Sequence, residues 1–247
     1  TALNPVLTCG KQIIETIMFH QHLSKEAATI EAITLFKSVQ LNDPEKVIDS
    51  LLERDHRRIN TSSDSEALLN LFAAEIQRAV NGRRGGLDAL SEEDVFRAIR
   101  AINETVEGSY SAIAMITGWG IVAFRDPFGI RPLCMGTCEV DGFTETVFAS
   151  ESVAMKALGF EISRDVQPGE VVVVRMDGST KSQICHDSPV HRPCIFEHVY
   201  FARPDSRIDG ISVHGARIRM GAKLAQRITE SNPTHEIEAV IPVPDSG

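Results

Sequence analysis

The stretch Gly118–Leu133, reading GWGIVAFRDPFGIRPL, constrains this chain more tightly than any other. Ile121, Ala123 and their apolar neighbours make a short strand. Arg125-Asp126-Pro127 then opens a polar turn, Gly129 relaxes it, and Ile130–Leu133 leads into a second extended segment. Pro127 and Pro132 fix φ and push the residue before each toward extended geometry, so the turn is a rigid corner. Two arginines and an aspartate bracket it. That pattern serves a salt-bridged turn between strands, and it equally serves a binding loop carried on a rigid sheet.

Upstream of this corner the periodicity is helical. Ile14–Phe19 reads as a short apolar helix. Ser24 precedes a second helix running through Phe36, with Glu26 in its first turn. Asn42 or Asp43 caps a third helix, with Pro44 in the first turn and Val47, Ile48, Leu51 and Leu52 as its stripe. Ser62 or Ser63 opens a fourth, where Glu66 completes a capping box with Ser63 and Leu68, Leu69, Phe72 and Ile76 form the buried face. Asn81–Gly86 reads as a solvent loop. Ser91, with Asp94 three residues on, opens a fifth helix whose face carries Val95, Ile99 and Ile102.

From Gly108 the period changes to two. Strands are expected over Ser109–Ile116, Gly120–Phe124, Thr144–Ala149, Phe160–Ser163, Val171–Val174 and Ser182–Cys185, with a helix at Glu151–Leu158. Asp187–Arg192 reads as a linker. Beyond it come a strand-like run at Glu197–Ala202, a second charged proline corner at Arg203-Pro204-Asp205-Ser206, an amphipathic helix from Val213 to Ile228, and a buried strand at Glu238–Val243. The fold class is α+β, a helical layer packed on antiparallel sheet.

Acidic residues outnumber basic ones, 34 to 25, for a net charge of −9. This is the wrong balance for a nucleic-acid groove, and Arg54–Arg58 and Arg83-Arg84 are short enough to be solvated faces. No apolar run reaches membrane-spanning length. The five cysteines (Cys9, Cys134, Cys138, Cys185 and Cys194) are odd in number and scattered, as in a reduced, cytoplasmic chain. His20 and His22 fall on different faces of a helix and have no third ligand nearby. Gly82–Gly86 lacks the strand and the GK[ST] ending of a phosphate loop. Asp64 and Glu66 favour a helix N-terminus electrostatically; Asp64 is also a candidate partner for a ligand's ammonium. Arg125, Arg131 and Arg203 either hold an anion or pin domains together. The residues alone assemble no nucleophile, base and oxyanion site.

A set of segments taken in order adds what composition cannot: HRRINTSSDSEALLNLFAAE (56–75), GSYSAIAMI (108–116), FRDPFGIRPL (124–133), ASESVAMKALGF (149–160), RDVQPGE (164–170), CIFEHVYFARPDSRIDGISV (194–213) and VIPVPDSG (240–247). From about Val47 onward the chain resembles the amidophosphoribosyltransferase family of class II glutamine amidotransferases, as an internal fragment. The RDPxGIRPL segment separates it from the other enzymes sharing that glutaminase fold. The resemblance implies a partial four-layer αββα N-terminal nucleophile hydrolase fold, followed by the start of an α/β phosphoribosyltransferase domain. Residues 1–40 are then an unrelated or rearranged helical leader, 41–190 a partial glutamine amidotransferase domain, and 191–247 a linker and the opening of the phosphoribosyltransferase domain.

The implied activity is transfer of glutamine-derived ammonia to phosphoribosyl pyrophosphate, giving 5-phosphoribosylamine in purine biosynthesis. Glutamine and phosphoribosyl pyrophosphate are the implied partners and Mg2+ the implied cofactor, with no metal site and no iron–sulfur cluster expected from this chain; Cys194 matches one cluster ligand of some members. Asp64 matches the aspartate that binds the glutamine α-amine. Arg125, Asp126, Arg131, Arg203 and Asp205 are structural or interdomain candidates, and no catalytic residue is assigned. The family opens on a nucleophilic cysteine followed by glycine, whereas Thr1 stands first here. Cys9-Gly10 imitates that opening without the HRGQ, RYxT and HNGxL segments that follow it in the family. The chain alone is therefore expected to be inactive and to self-associate through uncovered sheet. The alternative is a non-catalytic scaffold that binds a partner or a full-length homologue.

Overall fold

The computed structural model describes residues 17–18, 23–30 and 63–241. The chain divides into two compact units, one of residues 1–70 with 106–108 and the other of residues 71–105 with 109–247. The helices expected at 31–36 and 47–52, and the histidines at 20 and 22, lie outside the described residues.

In the first unit Ser24 starts a helix as its sequence predicts. Its hydroxyl accepts the Ala27 N–H at 3.3 Å and its carbonyl the Ala28 N–H at 2.9 Å. Ile17 and Ala28 are buried there, with Met18 and Leu23 packed on them. Helix α1, Asp64–Val80, begins directly after Ser63, with Asp64 and Glu66 in its first turn, and from Leu71 onward it belongs to the second unit.

The second unit carries the sheets. Helix α2, Glu92–Thr105, opens on the reciprocal box its sequence predicts, the Asp94 N–H donating to Ser91 Oγ and the Ser91 N–H to Asp94. Strands β1 (Ser111–Ile116), β2 (Gly120–Arg125), β6 (Glu170–Arg175) and β7 (Thr180–Ile184) form an antiparallel sheet in the order β1-β2-β6-β7. A second antiparallel sheet has the order β4-β3-β5, from β3 (Cys134–Val140), β4 (Phe143–Ala149) and β5 (Glu161–Asp165). Helix α3, Ser152–Ala157, follows β4.

Side-chain alternation reveals the layering. Phe124 of β2 meets Phe72 of α1, while its neighbour Ala123 turns the other way into a core with Val172, Leu133 and Val166, on which Met135 and Phe148 of the second sheet pack. In β3, Cys134 and Gly136 point away from that core toward Met155 of α3; a Cβ on Gly136 would lie 2.9 Å from its sulfur. Helices, sheet, sheet and helix thus stack in four layers, as the resemblance implies.

After the sandwich comes a π-helical turn, Glu197–Phe201, then the short strands β8 (Arg207–Ile208) and β9 (Ile211–Ser212), and helix α4, Val213–Ser231. Two expectations fail here. Glu197–Ala202 is not a strand: the Ala202 N–H reaches back to the Glu197 carbonyl at 3.0 Å, the i→i+5 bond of a π-turn. The turn drives Glu197 and His198 inward, where strand alternation would have separated them. Glu238–Val243 forms no strand through Ile241: no described strand pairs with it, and Val240 and Ile241 are 91% and 85% exposed. An apolar run becomes a strand only with a ladder partner for its backbone groups.

Candidate functional site

The RDPFGIR corner is built around a buried guanidinium. Arg125 ends β2 with its side chain 1% exposed. Its Nε donates to the Arg131 carbonyl at 2.7 Å, Nη1 to the Val166 carbonyl at 2.8 Å, and Nη2 to the Gly129 carbonyl at 2.8 Å. Both terminal nitrogens also grip the carboxylate of Asp209, at 2.7 and 2.9 Å. Every face of the fork is occupied, which suits the planar five-donor geometry of arginine and not lysine.

Asp126 shapes the corner from within. Its carboxylate accepts the Phe128 N–H at 2.9 Å and the Ile130 N–H at 3.1 Å, while its carbonyl accepts from Gly129 and Gly169. Burial raises its carboxyl pKa, and the backbone N–H groups and Arg125 oppose that rise. Gly129 has φ +57°, and a Cβ there would stand 2.9 Å from Pro168 Cγ; the turn tolerates only glycine.

Asp209 sits at φ +48° and Gly210 at φ +75°, a two-residue turn joining β8 to β9. Burial alone would raise the Asp209 carboxyl; the Arg125 fork and His191, 3.0 Å away, outweigh it and hold it below its ordinary value. Burial, and then the neighbouring charge of Asp209, raise the Asp165 carboxyl above its ordinary value.

Arg131 pairs with Glu197 and lies 5.7 Å from the centre of the Phe201 ring. Burial raises the Glu197 carboxyl, with Arg131 acting against it. The segment read as a linker is in fact stitched to the corner: Val190, Arg192 and Cys194 donate their N–H groups to the carbonyls of Pro127, Phe128 and Ile130, at 3.1, 2.7 and 3.1 Å. Glu151, at the N-cap of α3, accepts from the Arg203 N–H at 2.8 Å and the Ser206 hydroxyl at 2.7 Å.

Of the candidates named from the sequence, Arg125, Asp126 and Arg131 come together in this corner. Arg203 and Asp205 instead pair with each other at the surface, 3.3 Å apart. Asp64 is exposed in the first turn of α1, where it accepts from Ser65 Oγ at 3.4 Å. Asp209, His191, Glu197 and Glu151 escaped sequence reasoning. Only Asp209 had a readable signal, the Asp-Gly pair between two short apolar runs. The 81–86 loop is exposed, as its sequence predicts, and Arg83, itself 40% exposed, also reaches from it to the buried Asp94. Among the described residues no three of His, Cys, Asp or Glu converge as a metal site, so the Mg2+ expectation finds no ligand set there. No described helix is long and apolar enough to cross a membrane.

Two antiparallel sheets stacked between helices give the chain the architecture of an N-terminal nucleophile hydrolase. No family model matches it. The amidophosphoribosyltransferase of Pseudomonas aeruginosa is 46% identical over 214 residues, 87% of this chain and 42% of the relative. That of Escherichia coli K12 is 46% identical over 215 residues, 87% and 41% of the two chains. That of Saccharomyces cerevisiae is 44% identical over 195 residues, 77% and 37%. Among solved structures, the glutamine phosphoribosylpyrophosphate amidotransferase of B. subtilis, complexed with ADP and GMP, aligns with a TM-score of 0.59 at 29% identity. That alignment covers 82% of this chain and 39% of that one. The chain belongs to the amidophosphoribosyltransferase family, and it spans about two fifths of the length of the curated relatives it matches (42% of the first).

Proposed function

We propose that this chain serves glutamine-dependent synthesis of 5-phosphoribosylamine: ammonia released from glutamine in a glutaminase domain is added to phosphoribosyl pyrophosphate in a second domain. The observation that carries the reading is the 46% identity to the Escherichia coli amidophosphoribosyltransferase over 215 residues. Residues 41–190 belong to the glutaminase domain in this reading, and residues 191–247 link it to the phosphoribosyltransferase domain and open that domain. Asp64 binds the glutamine α-ammonium as a carboxylate counter-charge. Arg125, Asp126 and Arg131 act structurally, holding the segment after residue 190 against the sandwich.

Within residues 1–247 no nucleophile, base and oxyanion donor come together in the sequence, so this polypeptide by itself does not turn glutamine over. The test is to purify the native protein from its source, measure its intact mass, and assay glutamate and phosphoribosylamine formation. A product longer than 27.1 kDa that makes both supports the reading. In that product Asp64→Asn is expected to raise the KM for glutamine at least about tenfold while ammonia-dependent synthesis is kept. A 27.1 kDa product that binds no glutamine but co-purifies with a full-length homologue overturns it in favour of a scaffold.

A further inference from the structure

The turn Asp209-Gly210 needs left-handed backbone at both positions, and asparagine meets that need as well as aspartate. Turn geometry therefore does not explain the carboxylate. Arg125 does. Its guanidinium is buried, and the partners it has besides Asp209 are the carbonyls of Arg131, Val166 and Gly129, which carry no formal charge. Asp209 supplies the bidentate counter-charge, and a buried cation that loses its anion is strongly destabilised.

The hairpin that carries Asp209 is rigidly joined to the start of α4. Val213 N–H donates to the Ser206 carbonyl at 3.1 Å and His214 N–H to the Pro204 carbonyl at 3.0 Å, closing the hairpin and the first helical turn into one piece. Ser212 caps α4 through the Gly215 N–H at 3.2 Å. Arg217 extends the same piece by donating to the carbonyls of His198 and Ala202, both at 2.9 Å or less. The remaining ties of this piece to α3 run through Glu151 and Ser152, whose oxygens accept neutral N–H and O–H groups from Arg203, Ser206 and Arg207.

We propose that Asp209 is a positioning residue whose carboxylate, seated on Arg125, sets where the β8–β9 hairpin and the start of α4 lie on the sandwich. This deepens the functional reading, and rests on it in one respect: α4 is then the first helix of the ammonia-using part, and Arg125 fixes it relative to the ammonia-releasing part. His191 steadies the outer carboxylate oxygen.

Hydrogen exchange read by mass spectrometry on residues 1–247 tests this, comparing wild type with Asp209→Asn, Arg125→Lys and the double variant. Asparagine keeps the turn and removes the charge. Exchange over Arg207–Ala216 is expected to quicken about tenfold in each single variant while β2 and β6 keep their protection. The double variant is expected to be no faster than the singles, since both break the same seat. Exchange over Arg207–Ala216 within about twofold of wild type overturns the proposal, because the turn alone then places the hairpin. So does uniform quickening that includes Val122 and Val172, or additive effects in the double variant. Exchange reads the seat and not turnover, so failure of the enzymatic reading leaves this result standing.

Discussion

Arg83 and Asp94 are joined by two hydrogen bonds of 2.6 and 2.9 Å, tying the loop after α1 to the first turn of α2. Asp94 is 1% exposed and also accepts from the N–H and hydroxyl of Ser91, so one carboxylate caps the helix and anchors the loop. The Arg83 guanidinium, with Ser91 helping, outweighs burial and holds its carboxyl well below the usual carboxylate range. A depressed acid stabilises the fold fully above its unfolded pKa and loses that contribution as pH falls toward the folded value. Asp94→Asn is therefore expected to cost about 2 kcal/mol at pH 7 and less at about pH 2. The lower pH lies between the unfolded pKa of about 3.9 and the lower folded value, where part of the wild-type advantage has been lost. Urea unfolding at the two pH values checks it; an equal loss at both would show that packing rather than charge matters.

Gly129→Ala tests the rigid corner. Its φ of +57° and the 2.9 Å approach to Pro168 leave a methyl group nowhere to go, with Arg125 Cζ at 3.2 Å on another side. The substitution is expected to cost about 3 kcal/mol. Gly142→Ala, at φ +81° but with nothing within 4 Å, is the control. It carries the backbone strain alone, and the difference in thermal midpoint isolates the clash.

The strands other than β3 were legible from alternating or β-branched runs and from Thr-Gly, Pro-Gly and Asp-Gly turns. Strand β3, the centre of the second sheet, was not, because Gly136 and two cysteines dilute its pattern. The corner was legible as a corner because Pro127, Gly129 and Pro132 dictate backbone geometry whatever the partner. Its meaning was not. Arg125 finds Asp209 across 84 residues, and no local rule links the two. Glu197–Ala202 misled for a related reason: Val199, Tyr200 and Phe201 are good strand residues, but the ion pair of Glu197 with Arg131 favours a turn that leaves these three half-exposed. Arg83 is exposed as its loop predicts, but its tie to Asp94 was hidden because Asp94 reads first as a capping residue.

The described cysteines divide by burial. Burial raises the Cys134 thiol to about 12 and the Cys185 thiol to about 11, and both side chains are inside the fold. Cys138 and Cys194 are only partly covered. Because the thiolate is the reactive form, an alkylating reagent at neutral pH is expected to modify Cys138 and Cys194 in the native protein and to reach Cys134 and Cys185 only in denaturant. Peptide mapping after a short native pulse decides it, and early labelling at Cys134 would mean that α3 lifts from the second sheet.

Strand β1 raises the question of self-association. SAIAMI has neither a charge nor a proline, and β1 is an outer strand of its sheet with no second neighbour among the described residues. Ile113 and Met115 project on the face of Ala123, yet Met115 is 77% exposed, so the core facing Ala123 does not extend over it. The opposite edge, β7, carries Lys181, which is held by Glu92 and discourages strand addition. Self-association is therefore expected to run through β1, and Met115→Lys to suppress it by placing a charge on the edge. Sedimentation velocity over a concentration series should show a smaller weight-average mass for Met115→Lys than for wild type, with unchanged circular dichroism. Equal association in both would move the contact to the exposed aromatic turn at Phe196, Tyr200 and Phe201, where Tyr200→Lys becomes the corresponding substitution.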